Sequence, residues 1–178
     1  MDKVIFALEN FKNIQELIKF IDQKAGAILV LYGFIIAAFI EFTNRLFLVN
    51  PFEIGDYKKS LISIMTFVSG LALVLILLYQ LYSILFDIIK PRLAKNYSKN
   101  EYSLFYFEHI AHIDKKVIIA DYENITEERM LAEVIGQVYE VSKIMKKKVK
   151  KLAQIVKFFF LSIILLLIFI FFSSLLFS

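Results

Sequence analysis

The sequence has no cysteine and no tryptophan, and it contains only five glycines and two prolines in 178 residues. Without cysteine, the protein can form no disulfide bond, thiolate nucleophile or cysteine-ligated metal site. The sequence also lacks a nucleophile elbow, a phosphate-binding loop, a zinc-protease motif and a glycine-rich dinucleotide turn. We therefore predict that the protein is not an enzyme and that it has no catalytic residues, no metal and no bound cofactor.

Charge is absent from three long stretches of the chain. Residues 61–86 and 158–177 contain no charged residue, and residues 25–44 contain only Glu41. About 20 apolar helical residues cross the hydrocarbon core of a bilayer, whereas helices of soluble proteins keep a polar face. The hydrophobic content of 59% and the mean hydropathy of +0.67 also favour membrane insertion.

We predict an all-α membrane protein with three transmembrane helices and a helical cytosolic segment between the second and the third. The last helix should continue into the membrane, because no strong helix-breaking residue follows Asn124. Four segments are expected: an N-terminal amphipathic cytosolic helix (1–24), a two-helix transmembrane hairpin (25–89), a cytosolic helical segment (90–157) and the third transmembrane helix (158–178).

Local patterns predict the elements of the cytosolic segment. Apolar spacing predicts a helix over residues 101–113, and residues 114–122 are compatible with helix or strand. Asn124 with Glu127 three residues later resembles a capping box, which predicts that the last helix begins near Ile125.

Orientation follows from the distribution of lysine and arginine. Residues 1–24 contain four, residues 45–60 contain three, and residues 87–157 contain fourteen. Cytoplasmic segments carry the excess of these residues. The N-terminus and residues 87–157 should therefore be cytosolic, with the C-terminus outside.

A heptad-like row precedes the third span on the last helix. Its members are Leu131, Val134, Val138, Val141, Met145, Lys148, Leu152 and Ile155. Such a row packs against another helix, and we expect it to oligomerise the protein or to switch between two packings. Lys148 is its only charged member, and a lysine in such a row snorkels, specifies register or meets an anion.

Several other polar residues have more than one reading. The lysines between Lys143 and Lys151 fit anionic lipid or an anionic small ligand, whereas nucleic acid is disfavoured because a membrane-adjacent site would exclude a duplex. His109 and His112 are three residues apart, but without a third ligand a structural role is favoured over a metal site. Gln80 could hydrogen-bond across helices within the membrane.

Charged residues also flank the predicted spans. Asp22 and Lys24 open the first span, and Arg92 follows the second. Each is either a simple boundary charge or a functional residue. The planar guanidinium of Arg92 suits a phosphate.

Four short motifs occur in a characteristic order. They are Asp22-Gln-Lys24-Ala25-Gly26, Lys90-Pro91-Arg92-Leu93, Ser103-Leu-Phe-Tyr106-Phe107-Glu-His109-Ile110-Ala111, and Gln137-Val-Tyr139 followed by Lys148. In order and spacing they resemble the transmembrane effectors of bacterial Pycsar anti-phage systems, over nearly the whole chain.

The resemblance implies a defence effector in the bacterial inner membrane. It implies that residues 90–157 sense a cyclic pyrimidine mononucleotide made by a partner cyclase, and that the effector then impairs the membrane in abortive infection. A cyclic nucleotide needs a cation for its phosphate and an aromatic or apolar surface for its base. The ligand-binding candidates are Asp22, Lys24, Arg92, Tyr106, Phe107, His109, Gln137 and Lys148.

The expected partners are membrane lipid, the cyclic nucleotide and further copies of the same chain, but not nucleic acid. The alternative reading is a ligand-independent pore-forming or scaffold membrane protein. A channel or transporter subunit is disfavoured because the spans contain few polar residues, which transport pathways usually need.

Overall fold

The computed structural model describes residues 2–45, 56–90 and 102–177, and within this part of the chain the fold is helical and contains no strand. The elements are α1 (Lys3–Arg45), α2 (Tyr57–Tyr82) with a π-helical continuation (Ser83–Ile89), α3 (Phe107–His112), α4 (Lys115–Glu123) and α5 (Glu127–Phe177). The predicted fold class is confirmed.

Three of these helices are long and apolar enough to cross a membrane. They contain the stretches Lys3–Asn44, Tyr57–Ile89 and Glu127–Leu176. α1 joins the predicted amphipathic helix and the first span without interruption, and α5 joins the last cytosolic helix to the third span. The continuity predicted for the last helix is therefore confirmed.

The chain folds into two compact units. The first contains residues 1–21 and 91–149, and the second contains residues 22–90 and 150–178. We refer to them as the mixed unit and the apolar unit, because the second contains the three charge-poor stretches. α1 and α5 each contribute residues to both units.

The helix predicted over residues 101–113 is wrong in its first half. Within the described part of that range, α3 begins only at Phe107, and a turn precedes it. The Ser103 hydroxyl accepts a hydrogen bond from the Phe105 N–H at 3.2 Å, and the Ser103 N–H donates to Nδ1 of His109 at 2.9 Å. Such side-chain bonds compete with helical ones, so the apolar spacing overestimated the helix.

The predicted cap of the last helix is also wrong. Asn124 closes α4 instead, since its side-chain amide donates to the carbonyl of Ala120 at 2.7 Å. The hydroxyl of Thr126 accepts the N–H of Arg129 at 3.2 Å, which is the bond that an N-cap residue makes. Residues 114–122, which were open between helix and strand, are helical, with Asp114 accepting from the N–H of Lys116.

Helix packing in the apolar unit depends on a glycine and an amide. A Cβ at Gly70 would lie 3.2 Å from the ring of Phe169, so glycine lets α2 and α5 approach closely. The Phe169 ring in turn packs on Phe39 of α1, with centroids 4.8 Å apart. The side-chain amide of Gln80 donates to Ser162 Oγ at 2.9 Å and to the carbonyl of Phe158 at 3.0 Å, as the sequence predicted.

Candidate functional site

The centre of the mixed unit is a fully buried serine that joins two distant segments. Ser103 is 0% exposed, and its hydroxyl receives the side-chain amide of Gln137 from α5 at 3.1 Å. Its backbone N–H donates to His109 at 2.9 Å. The loop before α3 is therefore held to α5 by hydrogen bonds that a buried position makes costly to lose.

Three of the predicted ligand residues meet at this serine. His109 and Gln137 bond it directly, and the Tyr106 ring stands edge-on to the His109 ring with centroids 5.0 Å apart. The Tyr106 hydroxyl donates to the carboxylate of Glu108 at 3.0 Å. Phe107 is the first residue of α3. We call Ser103, Tyr106, His109 and Gln137 the serine cluster.

Two tyrosines that sequence reasoning missed hold the same loop to α4. The Tyr122 hydroxyl donates to the carbonyl of Leu104 at 3.0 Å, and the Tyr102 hydroxyl bonds the carboxylate of Asp121. This bond to Asp121 raises the pKa of Tyr102 above its ordinary value. Asp121 also pairs with Arg129 at 3.4 Å, which connects α4 to the first turns of α5. No sequence motif marks such contacts, because neither tyrosine belongs to a recognisable pattern.

Lys148 lies inside the mixed unit, as its position in the heptad-like row predicts. Its side chain is 4% exposed, and lysine is almost never buried to this degree unless it is paired. Gln137 and Lys148 are eleven residues apart on α5, which is about 16 Å and close to three full turns. The two side chains therefore share one face of the helix.

The members of the heptad-like row are buried to different degrees. Val134 is 1% exposed and Ile155 is 2% exposed, and the remaining apolar members are half-buried. The row is therefore only partly covered within a single chain. The two roles expected of it, oligomerisation and a switch between two packings, stay predictions.

Two of the remaining candidates belong to the apolar unit, and one lies outside the described residues. Asp22 and Lys24 belong to the apolar unit, where the Asp22 side chain is half-buried and that of Lys24 is exposed. Arg92 lies outside the described residues. Among the described residues, an ion pair near the end of the second span joins the Asp87 carboxylate and the Lys151 ammonium group at 2.9 Å. Among described residues, no three histidine or carboxylate side chains are placed to hold a metal.

These features define a multi-span helical membrane protein whose longest helix carries both a buried lysine and a charge-free span. A family model for the Pycsar effector protein domain matches residues 6–175, and the chain belongs to this family. It is therefore an anti-phage defence effector with transmembrane helices, of a family not known for catalysis, and membership implies a cyclic nucleotide signal from a partner cyclase. The resemblance found in the sequence is confirmed. No curated protein and no solved structure shows a significant match.

Proposed function

We propose that the protein senses a cyclic pyrimidine mononucleotide through its mixed unit and then impairs the bacterial inner membrane. The observation that carries the proposal is the family match over residues 6–175. It is supported by the continuity of α5, because one helix contains both Gln137 and Lys148 and the apolar run of the third span. A ligand that binds one packing of this helix better than another would shift the population between them.

The proposed ligand-binding face is the side of α5 that carries Gln137 and Lys148. An amide and the rings of Tyr106 and His109 suit a pyrimidine base, and an ammonium group suits the single phosphate charge. Long helical side chains lean towards the helix N-terminus, so we expect the Lys148 side chain to point towards the serine cluster. Both anchors are buried in this structure, so binding would require the packing around them to open.

The proposed orientation keeps the N-terminus and residues 87–157 in the cytosol, with the C-terminus outside. It rests on the excess of lysine and arginine in those segments. A cytosolic mixed unit would have access to a nucleotide made inside the cell. Reactivity of single introduced cysteines towards a membrane-impermeant reagent would test it, since the chain has none of its own.

The decisive experiment is calorimetric titration of the purified full-length protein with 3′,5′-cyclic UMP and cyclic CMP, with cyclic AMP as the purine comparison. Binding of a pyrimidine nucleotide at least tenfold tighter than cyclic AMP is expected. Equal affinity for all three, or no binding, would contradict the proposed ligand.

A cellular experiment separates the alternative function. The protein should slow growth and depolarise the membrane only when the partner cyclase is co-expressed. Equal toxicity without any cyclase would instead identify a ligand-independent pore former or scaffold.

A further inference from the structure

α5 carries a second heptad-like row, whose members are all exposed in the described part of the chain. Within the mixed unit this row consists of Ala132, Ile135, Tyr139, Ser142, Lys146 and Val149, spaced alternately three and four apart, and every member is exposed. It lies on roughly the opposite side of the helix from the buried residues Val134, Gln137 and Lys148, because each residue advances the helix by about 100°. We call it the outer row.

The outer row exposes large apolar side chains to the surroundings of the helix. Ile135 is 53% exposed, Tyr139 is 61% exposed and Val149 is 45% exposed. Helices of globular proteins place such residues on their buried face. An apolar row that repeats every 3.5 residues on average is the pattern by which helices pair in coiled coils.

The outer row borders an apolar groove in the same unit. The groove has a volume of about 460 Å³ and lies between the beginning of α1 and α5. Phe6 and Ile135 are among its lining residues, and Phe6 is 52% exposed. Ile135 belongs to both the groove and the outer row, so the two form one continuous apolar surface.

We propose that this surface binds a second copy of the chain, with the two α5 helices parallel. α5 runs without a break into a charge-free span, and copies inserted in one membrane have the same direction. Each outer-row residue therefore meets its own counterpart at the same height, as a parallel coiled coil requires. The proposal requires only that the copies share one membrane and one orientation, and it does not depend on nucleotide sensing.

Exposed apolar side chains on this surface supply area for such a pair. The outer row extends about 26 Å along the helix, and a single aromatic side chain can bury roughly 150–250 Å². Tyr139 and Phe6 are 61% and 52% exposed, so each can bury about half of that area towards the roughly 800 Å² per partner that a stable interface buries. Insertion in the same bilayer also restricts the relative orientation beforehand, which lowers the entropic cost of association.

A lysine near the C-terminal end of the outer row limits the strength of the pair. Lys146 of each copy would face Lys146 of the other, and a single lysine at such a position costs stability while it specifies register. The positive charge of nearby Lys143 is balanced within the chain, since its ammonium group lies 3.3 Å from the carboxylate of Glu140 and 4.1 Å from the centre of the Tyr139 ring. Replacing Lys146 with leucine should therefore strengthen the association.

The absence of cysteine makes a direct test possible, because each introduced thiol is the only one in the chain. The full-length S142C variant, on the outer row, should form a disulfide-linked dimer when its membranes are mildly oxidised. K147C is the matched control: it is also exposed and only five residues away, but it lies off the row. At equal expression, at least a tenfold excess of dimer for S142C is expected.

Two double variants test the chemistry of the contact. Y139E in the S142C background should reduce the dimer at least fivefold, and K146L should increase it. Equal cross-linking of S142C and K147C, or none for S142C, would overturn the proposal.

Nucleotide titration of the same preparations separates this proposal from the sensing function. Intact binding of cyclic UMP or cyclic CMP without S142C dimers would refute the pairing surface alone. S142C dimers without nucleotide binding would refute the sensing function alone.

Discussion

The two units use polar residues in opposite ways. In the apolar unit the buried side includes Gln80, Ser162 and Ser173, while Phe34 and Phe67 are more than 60% exposed. In the mixed unit the exposed positions include most of the lysines and glutamates, yet a serine, a glutamine and a lysine are fully or nearly buried. Exposed apolar side chains around buried polar ones suit the hydrocarbon of a membrane. Exposed charges around a core that contains a few specific polar residues suit water.

The two environments stabilise buried contacts in different ways. In lipid there is little hydrophobic gain from pairing apolar faces, so small and polar residues provide the contacts between helices. In water, a buried polar group is retained only if its hydrogen bonds are satisfied. The serine cluster satisfies its bonds, whereas the side-chain oxygens of Tyr32, Gln80 and Ser173 have no partner in the described part of the chain.

The largest expected effect is on Lys148. Lys148→Ala should abolish protection against phage, a loss of tenfold or more in plaque reduction, because it removes the proposed cation for the ligand phosphate. Lys148→Met, which nearly keeps the side-chain volume, separates charge from packing, and exposed Lys147→Ala is the control. Membrane fractionation should show normal insertion of all three variants. Full protection by Lys148→Met would refute the role of the charge.

A smaller effect is expected at the centre of the serine cluster. Ser103→Val leaves the Gln137 amide and the Phe105 N–H without their acceptor, and an unsatisfied buried group costs about 1–3 kcal/mol. The melting temperature of the purified protein should fall by several degrees, at roughly 2–4 °C per kcal/mol for a chain of this size. The Lys147→Ala variant, at an exposed position off both rows of α5, should melt like the wild type. A Ser103→Val protein of unchanged stability would mean that the cluster contributes nothing.

The equivalent change in the apolar unit should cost less. Gln80→Leu removes two hydrogen bonds, and such bonds between transmembrane helices average about 0.6 kcal/mol. It also removes the unpartnered side-chain oxygen of Gln80, which offsets part of the loss. The free energy of unfolding, measured in mixed micelles, should therefore change by less than about 1 kcal/mol. A larger loss than for Ser103→Val would reverse the proposed difference between the units.

The smallest effect is expected for the ion pair between Asp87 and Lys151. Both side chains are about one-third exposed, at 30% and 35%, and exposed pairs contribute roughly 0.2–1 kcal/mol. Lys151→Ala should lower stability within that range at low salt and have less effect at 0.5 M salt, where screening is stronger. The charge-swapped double variant, Asp87→Lys with Lys151→Asp, should recover most of the loss.

Sequence periodicity predicted the long helices well, because a 20-residue apolar run has few other stable structures in a membrane protein. It failed where side chains bond to the backbone locally. Ser103 with His109 shortened α3, and Asn124 capped the end of α4 rather than the start of α5. Such choices depend on which acceptor a side chain finds, and composition alone does not specify that.

The sequence by itself determined the three apolar helices and the continuity of α5, since both follow from the spacing of apolar and charged residues along a helix. It did not determine which of the two rows on α5 is the more buried within the chain. Both rows repeat at three and four residues, so periodicity cannot distinguish them. Only the packing of the folded chain decided this, by burying Val134 and Lys148 and leaving Ile135 and Tyr139 exposed.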